Sequence, residues 1–284
     1  MITLSEKAYA KINLTLDVLS KRDDGYHDLQ SVMQTVSLCD DVEIDVDTGK
    51  PWKISCDAAS IPADERNLAW KAARVFFERI GSGADGIEIR IQKRIPSEAG
   101  LAGGSADAAA VLRALNRWAG SPLSVEALCD LGAQVGSDVP FCVLGGTALA
   151  EGRGERLSRL PDAPELHLVI CKPPIAFATQ ELFLRLDSVE IRDRPDTDAM
   201  QCALRNGDRE KIAALLCNVF EQAVSDHPEI EAVKRELLSH GALGAMMTGS
   251  GSAVFGIFRC SNCAKAACEA LIAAYPQTFV AITV

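Results

Sequence analysis

Ile95-Pro96-Ser97-Glu98-Ala99-Gly100-Leu101-Ala102-Gly103-Gly104-Ser105-Ala106-Asp107 joins a strand-like segment to an alanine-rich helix, and the rest of the chain is organised around it. Upstream, Gly86 to Gln92 alternates apolar and polar residues as a half-buried strand does, and Asp107 to Trp118 is made of strong helix formers. Glycines without a Cβ let backbone N–H groups close around an anion, and the open N–H groups of a helix's first turn add the positive end of its dipole. The run therefore predicts a phosphate cradle with a nucleoside triphosphate as its occupant; the plainer alternative is an ordinary glycine-rich connection. Two better-known nucleotide loops do not fit. Gly104 is followed by Ser105-Ala106 where a Walker loop needs Lys and then Ser or Thr, and Gly249-Ser250-Gly251-Ser252-Ala253-Val254 has valine where a dinucleotide fingerprint needs its third glycine.

Bulk properties narrow the field. A chain of 284 residues leaves room for two domains, and 48% hydrophobic with 24% charged residues suits a globular protein with a substantial core. The net charge of -10 argues against nucleic acid as a partner, so cations gathered around a phosphate would be a local device. Met1 to Ser20 carries Glu6, Lys7, Lys11 and Asp17, which is no signal-peptide core, and no apolar run reaches membrane-spanning length. A cytoplasmic protein without a membrane partner is expected, its ten cysteines serving as reduced, small apolar residues. The one provocative spacing, Cys260-Ser261-Asn262-Cys263 with Cys268 after it, lacks the second pair or the histidine that four zinc ligands require.

Strand patterns dominate the first third, at Ile2 to Ala10, Ile12 to Val18, Ser31 to Leu38, Val42 to Val46 and Lys53 to Cys56, followed by a helix from about Asn67 to Ile80. After the glycine run come a helix to Trp118, a second helix opened by Ser124, a turn at Gly136-Ser137-Asp138-Val139-Pro140, and a strand pair around Gly145-Gly146 and Glu151-Gly152-Arg153-Gly154. Beyond Pro161 the pattern restarts with a strand at Leu166 to Cys171. Helices at 180–186, 199–205, 208–217 and 228–239, strands at 244–248 and 253–258, a helix at 261–274 and a last strand near 279–284 follow. This order predicts a second α+β domain with antiparallel pairing.

Five segments now align with one family. Ala8-Tyr9-Ala10-Lys11-Ile12-Asn13-Leu14, Arg22-Asp23-Asp24-Gly25-Tyr26-His27-Asp28-Leu29, the cradle Pro96 to Ala106, the turn Gly136 to Pro140 and Thr248-Gly249-Ser250-Gly251-Ser252 resemble the GHMP small-molecule kinases, in the family's order and over nearly the whole chain. The resemblance implies a two-domain α+β kinase: an N-terminal domain at 1–160 with the ATP loop, and a ferredoxin-like C-terminal domain at 161–284. It implies ATP and Mg²⁺, small-molecule partners only, and a monomer or weak homodimer. The Lys11/Asn13 strand followed by Asp24-Gly25-Tyr26-His27 is the most particular feature, and resembles members whose acceptor is a cytidyl diphosphate sugar alcohol.

Phosphoryl transfer asks a protein mainly to position two substrates and neutralise charge. By the resemblance, Lys11 and Asp138 are the catalytic pair, the lysine keeping the carboxylate ionised and polarising the nucleophile; read alone, they are a strand lysine and a turn aspartate. The implied ATP site comprises Pro96, Ser97, Glu98, Ala99, Gly100, Leu101, Ala102, Gly103, Gly104, Ser105 and Ala106, with Lys93 and Asn67 near the adenine nucleotide. Tyr26 and His27 become the cytosine end of the acceptor site, with Phe183 on the opposite ring face and Thr179 nearby, since a pyrimidine offers a π-face and a hydrogen-bonding edge; Phe183 read alone is also plain helix core. Asn13, Gly249, Ser250 and Gly251 complete that site. Gly103-Gly104 stand where the wider family has serines, so Ser105 is the best side-chain candidate for Mg²⁺, an ion that often keeps water and phosphate oxygens. Two rivals are an ATP-dependent decarboxylase of the same fold, which needs no base sandwich, and a non-catalytic sensor, which has no use for the charged pair.

Overall fold

The computed structural model describes residues 1–284, and its elements in chain order are β1 (Ile2–Lys21), β2 (His27–Val46), β3 (Lys53–Cys56), α1 (Leu68–Ile80), β4 (Ile87–Gln92), α2 (Gly103–Trp118), α3 (Val125–Val135), α4 (Val139–Leu144), β5 (Thr147–Gly152), β6 (Arg156–Arg159) and β7 (His167–Cys171). Then come α5 (Thr179–Leu186), α6 (Thr197–Arg205), α7 (Arg209–Ala214), β8 (Cys217–Asn218), α8 (Phe220–Ala223), α9 (Pro228–Ser239), β9 (Gly244–Met247), β10 (Val254–Phe258), α10 (Ser261–Leu271) and β11 (Thr278–Ile282). Four expected strands are in fact two: β1 and β2 are each 20 residues long. The polar residues Lys11 and Asp40-Asp41, which lie between the expected strands, are accommodated inside β1 and β2, Lys11 and Asp40 by burial with hydrogen-bonding partners. The Gly136–Pro140 turn runs directly into α4, with Asp138 as its N-cap residue and Pro140 in its first turn.

The molecule forms two compact units that are discontinuous in sequence. The first comprises Met1–Ala10, Cys39–Ile95 and Ala102–Gly145; the second comprises Lys11–Leu38, Pro96–Leu101 and Gly146–Val284. The long strands β1 and β2 each give one part to each unit, and the expected boundary near residue 160 lies inside the second.

In the first unit, Asp41 to Val46 pairs antiparallel with β4, and β3 pairs parallel with β4 on its other side. Helix α2 is packed against α1 and α4. Its Ala108, Ala109, Ala110 and Ala114 are fully buried, and side chains this small let helices approach closely. Asn67 caps α1 by accepting a bond from the Ala69 N–H, and Ser124 caps α3 by accepting one from the Ala127 N–H.

The second unit contains a four-stranded antiparallel sheet in the order β11-β7-β10-β9. Helix α9 packs on β9 and β10, and α10 on β7, β10 and β11. Read along the chain, β7-α9-β9-β10-α10-β11 is the β-α-β-β-α-β order of a ferredoxin-like fold, with α5 to α8 inserted after its first strand. The insertion returns to β1 through β8, which pairs with it in parallel at Thr15–Leu16. Leu16 and Val18 of β1 thereby share one apolar core with Val169, Leu182, Phe220, Val233 and Phe258. Elsewhere in the unit β2 pairs antiparallel with β5, and β5 with β6.

Candidate functional site

From Ala10 to Val18, β1 is buried on both faces, so its alternation puts Lys11, Asn13, Thr15 and Asp17 on a buried polar face opposite Ile12, Leu14, Leu16 and Val18. Burying polar groups is costly unless each finds a partner, and here partners are supplied. The Lys11 Nζ donates to Asn13 Oδ1 at 2.8 Å, Asn13 Nδ2 donates to Ser31 Oγ at 2.8 Å, and Ser31 Oγ donates to the Thr15 carbonyl at 2.6 Å. Thr248 Oγ1 accepts from the Asn13 N–H at 3.0 Å and also donates to Asn13 Oδ1 at 3.3 Å. The Thr248–Ser252 loop is itself pinned: Asn218 Nδ2 donates to the Met247 and Gly249 carbonyls at 2.8 and 2.9 Å. A Cβ on Gly249 would stand 3.2 Å from Lys11 Nζ, so the lysine ammonium lies against the glycine loop. The second unit thus brings together Lys11, Asn13 and Gly249. It also joins Thr179 to Ser250, hydroxyl to hydroxyl, at 3.0 Å.

Backbone bonds tie the first part of the cradle to the same loop: the Ser252 and Ala253 N–H groups donate to the Glu98 and Ala99 carbonyls, and the Lys11 N–H donates to that of Leu101. Gly100, at φ 71°, is forced, because a Cβ there would collide with the Thr248 carbonyl oxygen. Left-handed backbone recurs at every second residue, Glu98 (φ 50°), Gly100 and Ala102 (φ 58°). Such alternation is the geometry that turns successive N–H groups to one side as an anion-binding nest. Glu98 and Ala102 adopt it at a cost of about 1–2 kcal/mol each, and strain of this kind collects at functional sites.

Helix α2 begins four residues earlier than its composition suggests, so Gly103, Gly104 and Ser105 are its first turn. Unlike α1 and α3, it has no side-chain cap; like α1, it holds no acidic residue in its first turn. Its opening N–H groups are therefore left without a side-chain acceptor and lie beside glycines that admit a ligand to the backbone.

Behind this turn sits a buried ion triad that sequence reading missed. Lys93 Nζ donates to Asp107 Oδ2 at 2.8 Å and to Asp40 Oδ2; Asp40 Oδ1 also accepts the Arg94 N–H and, at 2.8 Å, the Ile95 N–H. The Lys93, Asp40 and Asp107 side chains are 7%, 0% and 3% exposed, so this lysine ties the end of β4 to α2 from within rather than presenting its charge to solvent. Burial pushes the Asp107 carboxyl up to about 7 against the pull of Lys93, and its Oδ1 has no hydrogen-bond partner. The Lys93 ammonium, although burial opposes it, is held above its usual value by Asp107 and Asp40. The signal that could have revealed the triad is an aspartate inside an apolar helix face, 14 residues after a strand-end lysine. Asn67 is likewise buried and employed: besides capping α1, its Nδ2 donates to the Pro62 carbonyl at 2.8 Å. Ser105 and Asp138 are half-buried, and no group of three His, Cys, Asp or Glu side chains gathers as a metal site.

At the expected cytosine end, Tyr26 is 53% exposed with the Arg153 guanidinium 4.8 Å over its ring. His27 is buried, and its Nε2 lies 2.7 Å from Asp187 Oδ1. Its ring stacks directly on Phe183, with centroids 4.6 Å apart and planes at 16°. That is the spacing of two rings in contact and leaves no layer for a base between them. Phe183 also meets Phe220 edge-on at 5.0 Å and packs against the apolar core, so the plain-core reading of this residue describes its present contacts. Asp187, which Lys21 and His27 hold below the usual carboxylate range, was invisible in the sequence because it is 160 residues from its histidine.

Comparison with known proteins matches the GHMP kinases N terminal domain to residues 67–146 and the GHMP kinases C terminal domain to residues 200–277. A 4-diphosphocytidyl-2-C-methyl-D-erythritol kinase of Caldicellulosiruptor saccharolyticus is 50% identical over 253 residues, 89% of this chain and 87% of that protein. The protein of the same description from Caldicellulosiruptor bescii is 47% identical over 89% of this chain and 88% of its own. A crystal structure of 4-(cytidine 5'-diphospho)-2C-methyl-D-erythritol kinase is similar to this chain with a TM-score of 0.83 at 31% identity, covering 99% of both chains.

Proposed function

Because the chain belongs to the 4-diphosphocytidyl-2-C-methyl-D-erythritol kinases of the GHMP family, we propose that its buried lysine strand and its uncapped glycine-opened helix each serve phosphoryl transfer. The protein is an ATP-dependent small-molecule kinase that phosphorylates the 2-hydroxyl of 4-diphosphocytidyl-2-C-methyl-D-erythritol, a step of the non-mevalonate isoprenoid precursor pathway. The observation that carries the site assignment is the opening of α2: it alone among α1, α2 and α3 lacks a side-chain cap. Its free N–H groups and those of the Pro96–Ala102 loop would neutralise phosphate oxygens as charge shifts during transfer.

Lys11, aimed by Asn13, polarises the acceptor hydroxyl and stabilises the charge that develops there. Asp138 orients that hydroxyl and receives its proton. Mg²⁺, when bound, neutralises phosphate charge; Ser105 is the side chain that would hold it, and the absence of a three-ligand cluster suits an ion carried mostly by phosphate and water. Lys93 and Asn67 support the nucleotide indirectly, through the triad and the α1 cap. The cytosine ring stacks on Tyr26, and on Phe183 once that ring parts from His27.

The test is ADP release against 4-diphosphocytidyl-2-C-methyl-D-erythritol, methylerythritol phosphate, mevalonate, homoserine and galactose. Only the first should be a good acceptor. Tyr26→Ala and Phe183→Ala should each raise its KM by about 5- to 150-fold, the loss of one base–aromatic stack, while KM for ATP stays within about twofold. Efficient phosphorylation of mevalonate or homoserine, or indifference to the cytidyl group, would overturn the substrate assignment.

A further inference from the structure

The Cys260–Cys263 pair is a second chemically distinctive spot, made of residues that have no assigned part in phosphoryl transfer. Cys260 is the N-cap residue of α10, its Sγ accepting the Cys263 N–H at 3.4 Å, and the two Sγ atoms are 2.9 Å apart. Cys263 is exposed and Cys260 half-buried, so both sulfurs can be reached from solvent. Arg259, immediately before the pair, is an exposed cation bound to Glu210 at 3.0 Å. Most other thiols are buried to some degree and inert: burial pushes those of Cys171 and Cys217 up to about 11 and raises Cys39, Cys56 and Cys268. No third His, Cys, Asp or Glu joins the pair to make a metal-holding group.

We propose that Cys260 and Cys263 are a redox-active dithiol that exchanges with low-molecular-weight disulfides, Cys260 as the attacking thiolate and Cys263 as the resolving thiol. A Cys-x-x-Cys at the start of a helix suits this chemistry because the first-turn N–H groups stabilise a thiolate on the capping sulfur. The S–H of Cys263 and then its N–H both donate to Cys260 and hold the Cys260 thiol below the usual cysteine value, while Cys263 is raised by the same bond. In the exchange, Cys260 Sγ⁻ attacks one sulfur of R–S–S–R; an S–S bond forms to Cys260 and RS⁻ leaves. Cys263 gives up its proton to that thiolate and attacks Cys260 Sγ, expelling the second RS⁻, which takes a proton from solvent. The protein loses two electrons and two protons, and the small disulfide becomes two RSH. Closing the ring needs the sulfurs to approach by only about 0.9 Å, to the usual S–S bond length.

The experiment exposes the reduced, full-length protein to oxidised glutathione, quenches by alkylation, and maps peptides by mass. Cys202, an exposed cysteine on α6, is the internal reference. Wild type should lose two thiols as a Cys260–Cys263 disulfide that dithiothreitol reverses, at a rate at least ~3-fold above mixed-disulfide formation at Cys202, because a larger thiolate fraction outweighs the accompanying fall in nucleophilicity. Cys263→Ser should hold one glutathione on Cys260. Cys260→Ser keeps a good helix cap, so an unchanged thermal melt is expected together with loss of the fast reaction. The proposal is overturned if Cys260 reacts no faster than Cys202, if Cys263→Ser carries no adduct on Cys260, or if wild type ends with separate adducts on both cysteines. These readings do not depend on kinase activity.

Discussion

Lys11 shows how a single charged residue becomes useful. Its position on a strand buried on both sides would be costly for an unpartnered ammonium, and the cost is offset by Asn13, whose own orientation is fixed by Ser31 and Thr248. Lys11→Met should lower kcat by about 10²-fold or more with a smaller change in KM for either substrate, as expected for a group acting on the developing charge. Asn13→Ala should lower kcat by less while shifting the melt downward, because it removes the buried side-chain bonds to Lys11, Ser31 and Thr248. Steady-state kinetics paired with thermal melts separates the two; full activity in Lys11→Met would remove the lysine from catalysis. Asp107 gives a pH-dependent counterpart. Its carboxyl takes a proton at about 7 in the fold but near 4 in an unfolded chain, so the folded state binds more protons between those values. The group's contribution to stability is full at about pH 4 and is lost as pH rises through about 7. In Asp107→Asn that loss is absent, so the wild-type advantage in Tm over the variant should shrink between pH 5 and pH 8. A constant difference across that range would mean that Asp107 is ionised throughout.

At the scale of the element, the glycine run is a loop only as far as Ala102; from Gly103 it is helix. The glycines accordingly have different duties. Gly100 has both a left-handed backbone and no space for a side chain, whereas Gly104 sits in the helix with only Leu68 Cδ1 at 3.5 Å from a built Cβ. Gly100→Ala should therefore destabilise by about 2 kcal/mol or more, from left-handed strain plus displacement of the Thr248 segment. It should also depress kcat, because Thr248 supports Asn13. Gly104→Ala should leave the melt unchanged or slightly raised, since alanine is the better helix former by about 1 kcal/mol, and should report on ligand approach through KM for ATP alone. Chemical denaturation and initial rates on the two variants decide this. Equal destabilisation of both would mean that the run tolerates no side chain anywhere.

At the scale of the whole molecule, β1 and β2 each give one part to each compact unit, and this bears on how the chain should unfold. Residues 161–284 carry the complete antiparallel sheet order, yet Leu16 and Val18 of β1 belong to the apolar core against which that segment's helices pack, and β8 has its partner in β1. Cutting near residue 160 removes those side chains and exposes the surface they cover, each worth roughly 1.5–3 kcal/mol on burial. A fragment of residues 161–284 should thus lack a sharp unfolding transition, while the intact chain melts in one step by both calorimetry and circular dichroism. A cooperative transition in the fragment alone would show that the strand is dispensable to it.

Read alone, the amino-acid sequence determined whatever depends on neighbours along the chain. The β-α-β-β-α-β order, the helix starts near Asn67 and at Ser124, the helix from Pro228 to Ser239 and the glycine run opening a helix all follow from periodicity, capping chemistry and backbone freedom, which are local. The family motifs placed Lys11, Asn13 and Gly249 among the functional candidates. Tertiary structure alone decided what those residues touch. Asp40, Lys93 and Asp107 meet across 53 and 14 residues, Asn13 meets Thr248 across 235, and His27 meets Asp187 across 160. No window of sequence records such pairs, because a buried charge or amide is satisfied by whichever distant strand or helix packing brings within about 3 Å. The His27–Phe183 stack is of the same kind: composition shows two rings suited to a base, and only the packed chain shows that they first close on each other.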